Sequence, residues 1–338
     1  MTVARRLLLA LGALSAVLVA VGLVALFVGS AGISPEAILR VLSGRAEAES
    51  VERVVTLQLR LPRIAVAVMA GGALAVAGVG FQALTRNPLA EPSVLGVSSG
   101  AALGVVIGQI FGLGPGLLES LALTAFAFAG ALLAAGAVYL IARAGSGLAI
   151  QTLLLAGVIV GIFFSSAITV VISVVDFNRL GGVIHWLLGN LGPIPPASLA
   201  LFGVLAAVGV WLIAGQAREL NVLALGEEAA LQLGVNTERL KVRIFFGAAL
   251  LTGTVVAFAG PIGFVGLIVP HMLRGFLGQD NRLLVPGALV GGGAFLLAAD
   301  TLARNVVAPA ELSVGVITSF CGAPFFVYLL RTRYRRIP

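Results

Sequence analysis

Ten stretches of the chain are apolar over about the length a helix needs to cross a bilayer, roughly 20 residues. They cover 7–29, 62–85, 93–112, 117–142, 149–175, 195–215, 241–260, 262–278, 283–303 and 312–331. A soluble protein of 338 residues has no core large enough to hide that much apolar surface. Only 10% of the residues are charged, and the mean hydropathy is +1.12. In hydrocarbon every backbone polar group must be satisfied within the segment, which leaves helices as the spanning element. The expected fold is therefore all-α: one polytopic transmembrane domain, residues 1–338, with about ten transmembrane helices. Glycine accounts for 44 residues, which lets helix backbones approach closely and predicts many packed helices rather than a single anchor. The first apolar run is longer than a signal-peptide core of about 7–15 residues and reads as a retained helix.

An even number of crossings puts both termini on one side. With Met1 inside, 14 of the 21 basic residues fall in inner segments and seven in outer ones, so both termini are expected to be cytoplasmic. Arg40, Arg45, Arg53, Arg60, Arg63, Arg179 and Arg304 are the outer seven. Arg60 and Arg63, in "LRLPRIAVAVM", therefore stand where the charge rule would not put them, with Pro62 read as the start of the second helix. The net charge of +7 sits largely in "ARR" and "RTRYRR" beside apolar helices, so it reports topology, not nucleic-acid binding.

Two loops are long. The outer loop 30–61 holds "ISPEAILRVL", where Ser34, Pro35 and Glu36 suit the cap, first position and first turn of a short helix. The inner loop 216–240 holds a second short helix, about 226–233, ended by Gly234. Proline and glycine at 260–263, and Pro270, predict a broken or kinked segment. Residues 71–100 and 247–275 echo each other weakly, which suggests an inverted repeat of helices 2–5 and 7–10.

The chemistry that is missing narrows the function. The chain has one lysine, Lys241, and nothing of the form G-x-x-x-x-G-K-[ST], so it cannot hydrolyse ATP itself. Its two histidines, His185 and His271, are not at metal-ligand spacing, and no Ser-His-Asp grouping stands out, so no catalytic residue, no metal site and no cofactor are expected in this chain. The single Cys321 excludes an internal disulfide and reads as a buried small residue. A proton- or ion-coupled carrier should hold ionisable groups near the midplane. Here they lie near helix ends, which disfavours the alternative of a partner-free secondary transporter or channel. What remains is a many-helix pore driven by a partner.

"LRLPRIAVAVMAGGALAVAGVGFQALTRNPLAEPSVLGVSSGAALG" (59–104), "HWLLGNLG" (185–192), "LALGEEAALQLGV" (223–235), "AGPIGFVGLIVPHMLR" (259–274), "LLAADTLAR" (296–304) and "PAELSVGVITSFCGAPFFVYLLRTR" (309–333) resemble the FecCD family. These are the transmembrane permeases of bacterial ABC importers for iron-siderophores, haem and cobalamin. The resemblance runs from about 55 to 333 and leaves the first 50 or so residues outside. It implies ten helices per subunit, a homodimer in the bacterial cytoplasmic (inner) membrane, and a pathway along the two-fold axis. It also implies two ATP-binding cassette ATPase subunits, which carry the ATP and Mg, and a periplasmic or lipoprotein substrate-binding protein. Ferric siderophore ranks first as cargo by base rate, followed by haem and cobalamin.

The resemblance also assigns roles. Arg60, Arg63 and Arg304 match outward arginines that engage carboxylates on the binding protein; a guanidinium suits a bidentate carboxylate contact. Arg60 and Arg63 are three apart, so one acid could meet both; the plainer reading is snorkelling at the interface. Gly226, Glu227, Glu228, Leu233 and Gly234 match the coupling helix that sits in a groove of the ATPase. Ile150, Gln151 and Thr152 match the cytoplasmic gate. Gln82, Ser165, Ser166 and His185 are candidates for the substrate pathway, with a structural or interhelical role as the plainer alternative for each. Asn87-Pro88 reads as a helix terminator.

Overall fold

The computed structural model describes the chain except residues 1–2, 30, 48, 111–116, 145–146, 175–180, 183, 185, 193 and 335–338. Each of the ten apolar runs forms a helix. In chain order the elements are α1 (Val3–Phe27), α2 (Pro35–Leu42), α3 (Val51–Thr85), α4 (Val97–Ile110), α5 (Leu117–Ala142), α6 (Ile150–Val174), α7 (Pro196–Ala214), α8 (Ala217–Leu223), α9 (Glu227–Gln232), α10 (Thr237–Ala259), α11 (Val265–Leu277), α12 (Asn281–Asn305) and α13 (Val314–Tyr334). Between α5 and α6 lies a minimal hairpin of β1 (Arg143–Ala144) and β2 (Gly147–Leu148). Among the described residues, seven helices are long and apolar enough to cross a membrane, while α4, α11 and the apolar part of α13 are shorter.

Helices α3, α10 and α12 form the buried centre, and α1 lies against α12 at the periphery. The α3–α12 seam is closed by glycine. A Cβ on Gly71 would stand 2.2 Å from the Gly292 carbonyl oxygen, and one on Gly292 would stand 2.3 Å from that of Gly71. No larger residue fits, so the two backbones touch directly. The partners of α3, α11 and α12, correspond in chain position to the partners of α10, α4 and α5. The short helices α4 and α11 each follow a break and a left-handed residue, Gly96 at φ 74° and Phe264 at φ 68°. Glu91 joins the two breaks by accepting the Phe264 N–H.

Two helix boundaries and one burial depart from the sequence expectation. Helix α3 starts at Val51 rather than at Pro62, so the outer loop is shorter than 30–61. The reason is a π-helical stretch, Val54–Arg60, in which the Leu61 N–H reaches back to the Thr56 carbonyl. Widening the helix makes room for a proline that would otherwise clash with the preceding turn. Helix α10 starts at Thr237, capped by the Asn236 side chain on the Arg239 N–H, so Lys241 lies inside the helix rather than at its mouth. Cys321, expected to be buried, is exposed on α13 beside the exposed Phe320. Helix α2 forms as expected, with Ser34 capping the Ala37 N–H.

Candidate functional site

Arg60, Arg63 and Arg304 converge at one end of the molecule, where α1 ends, α3 passes its π-helical stretch and α12 ends. Helix α1 has no basic residue in its last turn, so its final carbonyls lack a local partner. Arg60 and Arg304 supply one from other helices. Arg60 donates Nη1 to the Leu26 carbonyl at 2.6 Å, and Arg304 donates Nη2 to that of Ala25 at 3.4 Å. A cation at a helix C-terminus also meets the negative end of its dipole. Gly29 leaves the room: a Cβ there would come within 2.8 Å of Arg60 Nη2.

Asp300, fully buried on α12, is the counter-ion. Arg63 grips it with Nε at 3.1 Å and Nη2 at 2.9 Å from Oδ1, and reaches Glu311 with Nη1 at 2.7 Å. Arg304 Nε stands 3.2 Å from Asp300 Oδ2, but the pair is not aligned as a hydrogen bond. Within the chain, Asp300 is thus shared by Arg63 and Arg304, while Arg60 is held by the end of α1. Three guanidinium groups face two carboxylates, one of which, Glu311, is 41% exposed. Two buried nitrogens, Arg60 Nη2 and Arg304 Nε, have no hydrogen-bond partner. They border a cleft of about 190 Å³ that Arg63 and Glu311 also line.

The opposite end of α12 is about 28 Å away, by the rise of 1.5 Å per residue from Asp300 to Asn281. Here Asn221 of α8 accepts the Asn281 N–H at 2.8 Å and donates to Asp280 at 2.7 Å, which ties the 216–236 segment to the bundle. Gly226 at φ 118° and Gly234 at φ 84° bracket α9, in backbone conformations that favour glycine. Glu228 is exposed, as are Leu225, Leu231 and Leu233. Glu227 turns inward instead and meets Lys241 Nζ at 2.5 Å. The two adjacent acids thus differ: Glu227 is paired within the chain, and Glu228 is exposed.

Ile150 opens α6 directly after the hairpin; Gln151 is exposed and Thr152 half-buried. Gln82 is buried, donating to the Gly266 carbonyl at 3.2 Å and accepting from Arg274, so it fastens α3 to α11. Asn87 Oδ1 accepts the Leu89 N–H at 3.0 Å and shapes the turn after α3. Ser165 and Ser166 lie on an exposed stretch of α6. His185 and Arg179 fall outside the described residues. Asp300, Glu311, Glu238 and Lys241 were not singled out from the sequence as site residues; their only local signal was being ionisable groups close to apolar runs.

A glycine-sealed bundle of long apolar helices with a polar cluster at each end is the architecture of a multi-pass membrane protein. The profile of the FecCD transport family matches residues 17–332, and the chain belongs to that family. The match begins well before residue 55, so most of the first 50 residues lie inside it. The chain is 44% identical over 283 residues to the hemin transport system permease protein HmuU of Yersinia pestis, covering 83% of this chain and 84% of that one. It is 40% identical over 273 residues to the vitamin B12 import system permease protein BtuC of Escherichia coli O127:H6, covering 81% and 82%. A solved structure described as an inward-facing metal-chelate type ABC transporter superposes with a TM-score of 0.82 at 28% identity, covering 96% of this chain and 99% of that one. The chain is the permease subunit of an ABC importer, a multi-pass protein of the inner membrane. Membership brings an ATPase and a binding protein as partners, and it displaces the partner-free carrier.

Proposed function

We propose that this chain passes a large metal chelate, haem or cobalamin in kind, from a binding protein to the cytoplasm. Two copies enclose the pathway, and two separate ATP-binding cassette subunits hydrolyse the ATP. All ten apolar helices contribute to the membrane domain, both termini are cytoplasmic, and the arginine end faces outward. The relatives' names support the cargo class, because haem and cobalamin are both metal tetrapyrroles; this ranks them above a ferric siderophore. The exposed apolar faces of α6 and α13, among them Leu155, Ile159, Phe163, Phe320 and Val327, support a second copy as their cover.

The docking end rests on one observation: a cleft bordered by buried arginines in which Arg60 Nη2 lacks an acceptor and Arg304 Nε has only the misaligned Asp300 carboxylate. Buried donors left unmatched are costly, and an incoming carboxylate satisfies them. The test uses proteoliposomes holding the permease, its ATPase and its binding protein. Arg60→Gln and Arg63→Gln should each weaken binding-protein affinity by about ten-fold or more, equivalent to about 1.4 kcal/mol. Assembly with the ATPase reports that the variants fold. Unchanged affinity in both would overturn the docking site. Uptake of haem, cobalamin and a ferric siderophore by the same vesicles decides the cargo.

A further inference from the structure

The outer arginines leave donors unmatched, whereas the one lysine of the chain has none to spare. Lys241 is buried, and its ammonium carries three donors. They go to Glu227 Oε1 at 2.5 Å, Glu238 Oε1 at 2.9 Å and the Leu148 carbonyl at 3.2 Å. The Leu148 N–H in turn donates to Glu238 Oε2 at 2.8 Å. Both backbone polar groups of Leu148 are thus held by this cluster. Gly147 completes the fit, since a Cβ there would stand 2.6 Å from Glu238 Oε1. Three segments meet on one nitrogen: the first residue of α9, the second turn of α10, and β2.

We propose that Lys241 is the positioning residue that carries movement of α9 to the start of α6. The inference rests on the reading of the chain as an ATP-driven permease and adds how its inner end transmits force. Glu227 opens the short helix whose outer side presents Glu228, Leu231 and Leu233 to a partner. Leu148 lies two residues before Ile150, where α6 begins. A partner that displaces α9 must therefore drag the hairpin with it or part the lysine from its acids. Charge-assisted bonds of this kind are strong and directional, and a shared ammonium makes them one joint rather than three separate contacts. Such a contiguous link with two end positions is what a coupling device requires.

The test uses the full complex in proteoliposomes, with Lys241→Met, Lys241→Arg and Glu227→Gln. The readouts are cargo moved per ATP hydrolysed and the distance between spin labels at the exposed positions Gln151→Cys and Gln232→Cys, in a Cys321→Ser background. Lys241→Met should lower the transport-to-hydrolysis ratio by about five-fold or more and uncouple the nucleotide-dependent movements of the two labels. Lys241→Arg, which keeps the charge and donors, should restore most of both. Glu227→Gln removes one half-exposed charge and should fold readily while lowering the ratio by a smaller factor. Wild-type ratios and label movements in Lys241→Met and Glu227→Gln would overturn the relay and leave the permease reading standing. ATP-independent uptake by the wild type would instead remove the permease reading, and the relay with it.

Discussion

The two polar clusters at the ends of the bundle are built with opposite balances. At one end Arg63 and Arg304 pair with a buried carboxylate, Arg63 also reaches an exposed one, and Arg60 is held by a helix carbonyl beside them; at the other a buried ammonium draws in two half-exposed carboxylates. The arginine cluster keeps buried N–H groups without an acceptor beside an open cleft. The lysine cluster uses every donor. An unsaturated cluster can take a ligand and a saturated one can transmit a force, which is why the proposed docking site and the proposed joint are assigned to opposite ends. The Gly71–Gly292 contact fastens α3 to α12, the two helices that carry the arginine cluster.

The comparison predicts unequal costs for removing the central charge. Asp300→Asn leaves Arg63 and Arg304 as charges without their buried counter-ion, and should cost about 3–5 kcal/mol of stability. Lys241→Met should cost less, about 1–2 kcal/mol, because Glu227 and Glu238, 39% and 42% exposed, recover water. Thermal unfolding of the detergent-solubilised complex checks both, and equal losses would erase the distinction between the ends. The seam falls below Asp300→Asn and in the range of Lys241→Met. Gly71→Ala drives a methyl into the Gly292 carbonyl and should cost about 1–3 kcal/mol, read in the same unfolding experiment.

Smaller effects probe the receptor itself. Glu311 holds Arg63 Nη1 from an exposed position, where a partner's carboxylate would have to displace it. Glu311→Gln should therefore tighten binding-protein affinity by about three-fold, since exposed ion pairs contribute roughly 0.2–1 kcal/mol. Titrating the binding protein against the reconstituted permease measures it. A weaker affinity would mean that Glu311 belongs to the docking surface and does not compete with it.

Much of this architecture was legible in the sequence, and the failures have physical causes. The helices were visible because lipid demands long apolar runs, and the charge count marked Arg60 and Arg63 as anomalous before any contact was known. Their partners were not visible, since Arg63 and Asp300 are 237 residues apart and no local pattern links them. Pro62 misled because it marks a helix start in ordinary α geometry, whereas here the π-helical stretch carries the helix through it. Lys241 was noticed only as the lysine that does not belong to a phosphate loop. Its role depends on α10 beginning four residues earlier than the apolar run, which turns its side chain into the bundle. The docking and coupling motifs were recognised as motifs, but which acid is paired inside the chain and which is exposed needed the fold: Glu227 and Glu228 are adjacent in the chain and differently placed.

The acid at the base of α12 offers the smallest test and separates a local cap from the joint beside it. Asp280 accepts the Arg282 N–H at 3.0 Å and pairs with the Arg282 guanidinium at 2.7 Å, while Asn221 donates to it at 2.7 Å. The Arg282 bonds, with help from Asn221, lower its carboxyl from 3.8 to about 2. A folded-state value below the unfolded one contributes stability that is fully present above the unfolded value and is lost as pH falls through the folded one. Asp280→Asn should therefore cost up to about 1 kcal/mol at neutral pH, after allowance for solvent screening. That difference from wild type should shrink between pH 4 and pH 2, a window set by the two values. Denaturant unfolding across the window checks it. A difference that stays constant would show that Asp280 acts through the shape of its cap alone, leaving Asn221 and the α8 contact as what holds this end of α12 in place.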